Sequence, residues 1–389
     1  MRWFMLIILF VVRISMGYQF QSVASLSPQL VRDFGFTYTE VGSLIGFYLL
    51  PGIFFAIPSG LMTRATTDKK LLVLGSLVMI FGAIIMGFSA RHTGLYIGRL
   101  TTGIGGTIFS LILTKMVTEW FYKKEIITAL AIMLAAWPFG IALGLLSQEA
   151  IGNAYGIAMT FHLTAAGVAV GLILVILFYR DAPREAGAAN SPLRFRIPLR
   201  QFVHSSLLAI AWTLFNAILV IIVSFSPDAL ISVGYSHNTA HTVTSLMMWA
   251  TMVSVPFGGR ALERFGHVTL SIAISLAVTT GAIIAISRGI TPEVSFVILG
   301  IAFGIPAGAI MSMTAETMTA EYRGPALGIF YTWYYIGMTF APALGGWTRD
   351  VSGRVEAPLL LAAVMAFTVA VAIGLLRRLQ AVWSIDTSA

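Results

Sequence analysis

The sequence has no cysteine and very little charge. Of its 389 residues, 58% are hydrophobic and only 10% are charged, and the mean hydropathy is +0.89. The missing cysteine excludes disulfides, a thiolate nucleophile and cysteine-bound zinc or iron–sulfur clusters. Because soluble proteins average about 25% charged residues, this chain has too few charges to cover a surface in water. The composition therefore indicates an integral membrane protein.

Long apolar stretches alternate with short polar ones along the chain. A membrane-spanning helix needs roughly 20 mostly apolar residues. Twelve stretches meet that requirement, at 3–29, 40–62, 70–90, 94–119, 126–148, 155–179, 203–227, 239–259, 267–287, 292–317, 325–347 and 356–378. The first has Arg2 ahead of its apolar run, as a signal peptide does, but Arg13 interrupts the run, and we interpret it as a span. The predicted fold class is an all-α membrane protein with twelve transmembrane helices.

The basic residues are distributed unevenly between the two sides of these spans. Most of the 24 Lys and Arg residues fall at the termini and in the loops that share a side with them. Because cytoplasmic loops are enriched in Lys and Arg, we expect both termini in the cytoplasm and the chain in a bacterial cytoplasmic (inner) membrane. The net charge of +8 is then a topology signal, and no nucleic-acid partner is expected.

The two halves of the chain repeat each other. Ser25-Leu26-Ser27-Pro28 recurs 199 residues later as Ser224-Phe225-Ser226-Pro227, and further glycine and glutamate matches follow in order. The predicted domains are an N-terminal six-helix half at 1–180, a cytoplasmic loop at 181–202 and a C-terminal six-helix half at 203–389. Two parallel six-span halves with a binding site between them form a known transporter plan.

Several motifs in register with these spans resemble those of the major facilitator superfamily. Residues 259–267, GRALERFGH, resemble its cytoplasmic loop signature G-x-x-x-(D/E)-R-x-G-(R/K), whereas the copy after span two is degraded, with Arg64 where an acid is expected. Arg99-x-x-x-Gly103-x-Gly105 resembles its second motif, and Trp120-Phe121-x-x-x-Glu125 resembles its link into span five. The resemblance covers essentially the whole chain and implies a secondary transporter with two pseudo-symmetric halves.

The motifs also indicate residues for gating. A Glu–Arg pair at the cytoplasmic helix ends can bond to neighbouring carbonyls and acids, and it must break when the halves rock. The predicted gating and coupling residues are Arg99, Gly103, Glu119, Gly259, Glu263, Arg264 and Glu316. For Arg99 the resemblance implies a role in coupling or in the outer vestibule, and packing or snorkelling is the alternative. Ordinary topology and capping is the alternative for the cytoplasmic pairs.

Arg13 is the most informative single residue. It lies about 15 Å into span one at 1.5 Å per residue, and a charge at that depth marks a functional site by default. At helical spacing Arg13, Gly17 and Gln21 share a face, which we expect to line a central cavity. The repeat places Trp212 opposite Arg13 and Asn216 opposite Gly17. The alternative is a structural arginine tied to backbone carbonyls.

Acidic residues are missing from the centres of the predicted spans. All 16 Asp and Glu residues fall at span ends, in loops or at the termini. Carriers of cationic drugs and many proton-driven sugar carriers resemble one another in using a buried carboxylate. Without one, and with Arg13 central, we expect a small anionic substrate held in bidentate fashion by the guanidinium. This resembles the organic-anion, phosphate-ester, nitrate and cyanate carriers of the superfamily.

Aromatic residues near span centres supply further candidates for substrate contact. Tyr331, Tyr334 and Tyr335 fall on one face of span eleven, where hydroxyls can bond an anion and rings exclude water; helix packing is the alternative. Weaker candidates are Tyr48, Trp137 and Trp249. Lys115 and Glu119 are expected to form an i,i+4 ion pair.

The predicted function is secondary active or facilitative transport of a small anion by alternating access around Arg13. A coupling proton or counter-anion is a further partner, with the substrate or His162 as the proton carrier. The same-fold alternative is a proton-coupled carrier or exporter of neutral or cationic solutes, such as drugs or sugars, and a non-transporting membrane sensor is less favoured. We expect a monomer in the lipid bilayer that is not an enzyme and uses no cofactor or metal, since the sequence has no catalytic or phosphate-binding motif.

Overall fold

The chain folds into a bundle of long helices. The computed structural model describes residues 1–55, 66–89, 91–121, 125–181, 197–265, 267–318 and 322–383, and these contain helices and no strand. The helices are α1 Arg2–Ser25, α2 Ser27–Phe34, α3 Tyr38–Gly46, α4 Asp68–Phe88, α5 His92–Trp120, α6 Ile126–Tyr155, α7 Ile157–Phe178, α8 Leu199–Ser232, α9 His237–Phe265, α10 Val268–Ser287, α11 Pro292–Thr317, α12 Arg323–Ser352 and α13 Ala357–Trp383.

These helices account for all twelve predicted spans. The first prediction corresponds to α1 and α2, and the second corresponds to α3, which continues after a turn as far as Phe55. Ten helices in the described residues are long and apolar enough to cross a membrane. The two remaining long helices, α9 and α12, complete the set of twelve.

Local sequence explains where several helices begin and end. Thr37 and Glu40 form a reciprocal capping box at the start of α3, and Gly35 ends α2 in the left-handed conformation. The α6 helix extends past its predicted end at residue 148, because its polar residues there find partners. The Gln148 side chain donates to the Tyr18 carbonyl (2.6 Å), and Asn153 accepts from Gln29 (2.6 Å).

The helix packing repeats between the two halves. In the N-terminal half α1 packs against α6 and α7, and α4 packs against α5 and α7. The C-terminal half has the equivalent pairs, with α8 against α12 and α13, and α10 against α11 and α13. The halves meet through two symmetry-related pairs, α3 with α12 and α6 with α9. The predicted parallel, pseudo-symmetric pair of six-helix halves is therefore present in the structure.

The bundle has two distinct ends. We call the end with the start of α1 and the end of α13 the terminal face; there Arg2 pairs with Glu125 (2.6 Å) beside the start of α6. We call the other end the distal face; it contains the start of α3, the end of α6, the start of α9 and the end of α12. Among described residues, the hydrogen bonds and ion pairs that join the halves lie at the distal face. These contacts hold the halves together at the distal face.

Candidate functional site

Arg13 is a buried cation without a protein counter-ion among the described residues. It lies near the middle of α1, it is 9% exposed, and its Nε has no hydrogen-bond partner. The groups that interact with it electrostatically are the phenols of Tyr334 and Tyr335 on α12. Since α1 and α12 belong to different halves, Arg13 and these tyrosines form a site at the boundary between the halves.

The three tyrosines of α12 lie side by side at this boundary. The Tyr331 and Tyr334 ring centroids are 6.4 Å apart, and those of Tyr334 and Tyr335 are 5.3 Å apart, both in edge-to-face contact. Tyr331 is 38% exposed. Tyr335 packs directly against Gly52 of the N-terminal half. The structure thus places the tyrosine face near Arg13, and the role of these residues in binding stays a prediction.

The other tryptophan candidates each contact another aromatic ring. The rings of Trp212 and Phe330 are stacked with centroids 6.4 Å apart, and the Trp212 carbonyl accepts a hydrogen bond from the Asn216 amide (2.8 Å). Trp249 meets Phe139 across the α6–α9 boundary, with ring centroids 5.2 Å apart. Trp137 packs on Phe20 at 5.2 Å, inside the N-terminal half. Trp212, Asn216 and Trp249 remain partly exposed, so they are available as further walls of a site.

Gly17 and Gln21 lie where the sequence analysis did not place them. A Cβ on Gly17 would sit 2.5 Å from the Trp137 carbonyl oxygen, and Gln21 is fully buried against Gly144. This face of α1 therefore packs against α6 instead of lining a cavity. Small residues such as Gly17 permit close approach of the two backbones. This packing explains why Gly17 and Gln21 recur at helical spacing after Arg13.

Arg99 and Tyr48 belong to a buried structural cluster. Arg99 is 0% exposed and donates to the carbonyls of Leu44 (3.1 Å), Gln19 (3.1 Å) and Phe20 (2.7 Å). In a continuous helix the Leu44 carbonyl would accept from the Tyr48 N–H. It is free to accept from Arg99 because the turn after α3 directs the Tyr48 N–H to the Ile45 carbonyl instead. The Tyr48 ring lies under the guanidinium at 4.7 Å. Arg99 is thus enclosed by protein and does not lie in an open outer vestibule.

Gly103 and the predicted cytoplasmic gate residues give a mixed result. Gly103 lets α5 approach α3, since a Cβ there would sit 2.4 Å from the Tyr48 carbonyl oxygen. The expected Lys115–Glu119 pair is confirmed at 3.5 Å, and Lys115 makes a shorter one to Asp68 (2.7 Å), also within the N-terminal half. The remaining predicted gate residues have side chains outside the described part of the structure: Glu263 and Arg264, near Gly259 in α9, and Glu316 in α11.

One acidic residue near a span end is nevertheless buried. Glu149 lies in the last two turns of α6, and its side chain is only 6% exposed. It faces His237 (2.7 Å) and His241 (3.0 Å) at the start of α9. The predicted span ended one residue before Glu149, because hydropathy falls at Gln148 although the helix continues. The i,i+4 spacing of the two histidines is the signal that the sequence offered.

A second distal contact joins α3 to α12. The Asp350 carboxylate accepts from the backbone N–H groups of Tyr38 (3.1 Å) and Thr39 (2.7 Å), so it caps α3 from the other half. Arg349 pairs with Asp228 (2.6 Å) and donates to the Tyr38 hydroxyl (2.6 Å). These residues lie in the loops between the predicted spans, and none of them was predicted as a gate residue.

Two repeated six-helix halves, a buried cation at their boundary and a polar seal at one end define a membrane carrier of the alternating type. The family comparison agrees with this class. A model described as the Major Facilitator Superfamily matches residues 6–236 and 209–384. The chain therefore belongs to the major facilitator superfamily of transporters.

Solved structures share the fold over nearly the whole chain. One is a bacterial homolog of the human lysosomal transporter Spinster, inward-facing and unoccupied, at 14% identity and a TM-score of 0.74, with 97% of each chain covered. The same homolog, inward-facing and occupied, matches at 15% identity and a TM-score of 0.72, again with 97% of each chain covered. A mutant of the nucleoside transporter NupG matches at 13% identity and a TM-score of 0.73, with 96% of this chain and 99% of that chain covered.

Proposed function

We propose that the protein is a secondary carrier of a small anionic solute, and that Arg13 binds the anion between the two halves. The observation that carries the proposal is a buried guanidinium with an unpartnered Nε. A buried charge is costly unless it is paired, and an anionic ligand would supply the missing partner. Arginine suits this role because its planar donors match carboxylate and phosphate oxygens.

The opposite half supplies the rest of the site. Tyr334 and Tyr335 approach Arg13 from α12, so an anion on Arg13 can accept hydrogen bonds from phenols of the other half. A ligand held by both halves stabilises a state in which they are close, which is what alternating access requires. With the termini in the cytoplasm, as the Lys and Arg distribution predicts, the sealed distal face makes this conformation inward-facing.

A neutral solute is the second candidate, because one structural neighbour is described as a nucleoside transporter. Stacking on Trp212 or Trp249 would suit such a ligand. Arg13 favours the anion, since a neutral ligand leaves its charge without compensation. We expect no catalysis of a chemical reaction, as the family consists of transporters.

Thermal-shift titration of the purified protein tests the anion proposal. Ligands that bind the folded state raise the melting temperature with their concentration, so a set of organic and inorganic anions is compared with matched neutral and cationic solutes. We expect a saturable shift for at least one anion. Arg13→Lys and Arg13→Gln should each weaken binding at least about tenfold, because lysine does not reproduce the bidentate geometry.

Arg91→Gln is the matched control, since Arg91 is an exposed arginine at the start of α5 and should bind like the wild type. Counterflow in proteoliposomes then tests transport of the anion found. Saturable movement of a cation that survives Arg13→Gln would overturn the anion proposal. Equal anion shifts in wild type, Arg13→Lys and Arg13→Gln would make Arg13 a structural residue.

A further inference from the structure

A buried acid and two histidines connect the halves at the distal face. Glu149 belongs to α6 of the N-terminal half, whereas His237 and His241 begin α9 of the C-terminal half. His237 Nδ1 lies 2.7 Å from Glu149 Oε1, and His241 Nε2 lies 3.0 Å from Oε2. The His241 distance suits an ion pair, although its angle falls outside hydrogen-bond geometry. Each carboxylate oxygen thus faces one imidazole of the other half.

The charge of this cluster depends on protons. Within the described part of the chain, no lysine or arginine forms an ion pair with Glu149. Histidine has a pKa of about 6.5 in water, so near neutral pH its positive charge can be gained or lost. If both imidazoles were neutral, the closed boundary would bury an uncompensated carboxylate, at a large energetic cost.

Among the described residues, the remaining surroundings of Glu149 supply no other charge. From α2, Gln29 donates an amide hydrogen bond to the Glu149 carbonyl (3.4 Å), and Arg32 is exposed and paired with Asp33 (2.6 Å). From α1, the Tyr18 hydroxyl bonds Ser147 (3.1 Å) on the neighbouring turn. From α7, the Thr160 hydroxyl donates to the Gln148 carbonyl. The histidines are therefore the groups that can balance this carboxylate.

We propose that Glu149, His237 and His241 form a proton-binding site that controls the distal gate. Closing the gate buries the carboxylate between the histidines and takes up about one proton from the distal side. Opening it exposes all three groups to water, and the proton returns to the distal solution. The proposal rests on the alternating access of the proposed function, but it does not depend on which solute is carried.

The direction of the pH effect follows from proton linkage. In this proposal the closed state binds more protons than the open state, because a carboxylate favours a charged imidazole beside it. Closure should therefore weaken as pH rises through the neutral range. For one proton, the closed-to-open ratio falls by up to about tenfold per pH unit in that range.

The second distal contact should not respond in this window. It consists of the Asp228–Arg349 ion pair and the Asp350 cap on α3, and these described groups include no histidine. The two described contacts between the halves thus differ, because only the Glu149 cluster contains histidine. A pH effect on the gate can then be assigned to the Glu149 cluster.

Distance measurements between spin labels test the proposal directly. The chain has no cysteine, so Arg91→Cys and Ile290→Cys, which are exposed distal positions in different halves, can be labelled specifically in the otherwise unchanged protein. Pulsed electron resonance then gives the closed and open populations from pH 6 to 8.5. We expect the closed population of the wild-type background to rise as pH falls, and Glu149→Gln and His241→Gln each to lose most of this dependence.

The matched control is His92→Gln. His92 also lies at the distal face beside a glutamate, Glu40 at 4.0 Å, but both residues belong to the N-terminal half. This variant should keep the wild-type pH response. Melting curves confirm that each variant is folded, and His241→Gln tests the cluster independently if Glu149→Gln is unstable.

Two results would overturn the proton site. One is a wild-type ratio that is constant from pH 6 to 8.5, and the other is a pH response that persists in both Glu149→Gln and His241→Gln. Failure here is distinguishable from failure of the anion proposal. A flat pH response with an Arg13-dependent anion shift overturns only the proton site, whereas a normal pH response with no such shift overturns only the anion proposal.

Discussion

Two buried arginines in the N-terminal half have opposite surroundings. Arg99 donates to three backbone carbonyls and lies over two aromatic rings. Arg13 has an unpartnered Nε and faces tyrosines of the other half. Hydrogen bonds from charged groups stabilise a fold, whereas a buried charge without a partner destabilises it. The first residue supports the structure, and the second has the character expected of a ligand site.

Replacing each arginine by methionine should therefore shift stability in opposite directions. Arg99→Met removes three charge-assisted bonds, and we expect it to lower the free energy of unfolding by about 2–4 kcal/mol. Arg13→Met removes a buried, uncompensated charge, so the ligand-free protein should be unchanged or more stable by up to about 2 kcal/mol. Unfolding of the purified variants in detergent, with exposed Arg91→Met as control, measures both. A large loss of stability in Arg13→Met would contradict the role assigned to it.

At this scale the sequence predicts chemistry better than location. It proposes Arg13 and the tyrosine face as parts of one binding site, because depth and helical period are readable from the chain. The structure places them near each other, and their role in binding stays a prediction. It does not tell a glycine that lines a cavity from one that packs on a helix, since both satisfy the same spacing. Gly17 is the example, and only the Trp137 carbonyl next to it decides.

Helices were predictable to within a few residues, except where polar contacts extend them. The α6 helix runs to Tyr155 because Gln148 and Asn153 find hydrogen-bond partners on α1 and α2. Hydropathy does not register such contacts between helices, so the predicted span stopped before Glu149. The same contacts extend α6 so that the buried Glu149 carboxylate lies near its distal end, which hydropathy alone does not indicate.

The α1–α6 contact depends on close approach of two helices. A Cβ on Gly17 would lie 2.5 Å from the Trp137 carbonyl oxygen, so Gly17→Ala must push the helices apart. We expect a loss of about 1–3 kcal/mol from overpacking. Gly167→Ala in α7 is the matched control, because nothing lies within 4 Å of its Cβ position. The control should be neutral or slightly stabilising through helix propensity. Equal melting temperatures for the two variants would refute the packing argument.

On the scale of the whole molecule, the two halves repeat each other in packing, while the polar contacts between them that the described residues make lie at the distal face. Sequence matches at a spacing of 199 residues predicted the repeat, since equivalent residues recur in order. They could not predict which end is sealed, because closure depends on pairs such as Tyr38 with Asp350 that lie far apart in the chain. The conformational state is a property of the assembled halves.

The fixed distal contact should set the balance between closed and open states. Asp350 accepts hydrogen bonds from two N–H groups at the start of α3, where the helix dipole also favours a negative charge. Because this carboxylate is exposed, we assign its loss a cost near that of an ordinary N-cap, about 1 kcal/mol. Asp350→Asn should then raise the open-to-closed ratio about fivefold at constant pH.

The spin-label pair at positions 91 and 290 measures that ratio. Asp33→Asn is the matched control, because Asp33 is a distal carboxylate that pairs with Arg32 in its own helix and should not affect the gate. A cap that holds the halves together must also act independently of the proton site. The effects of Asp350→Asn and Glu149→Gln on the free energy of closure should therefore add in the double variant when measured well above pH 6.5. An unchanged ratio in Asp350→Asn would show that the α3 cap follows closure without stabilising it.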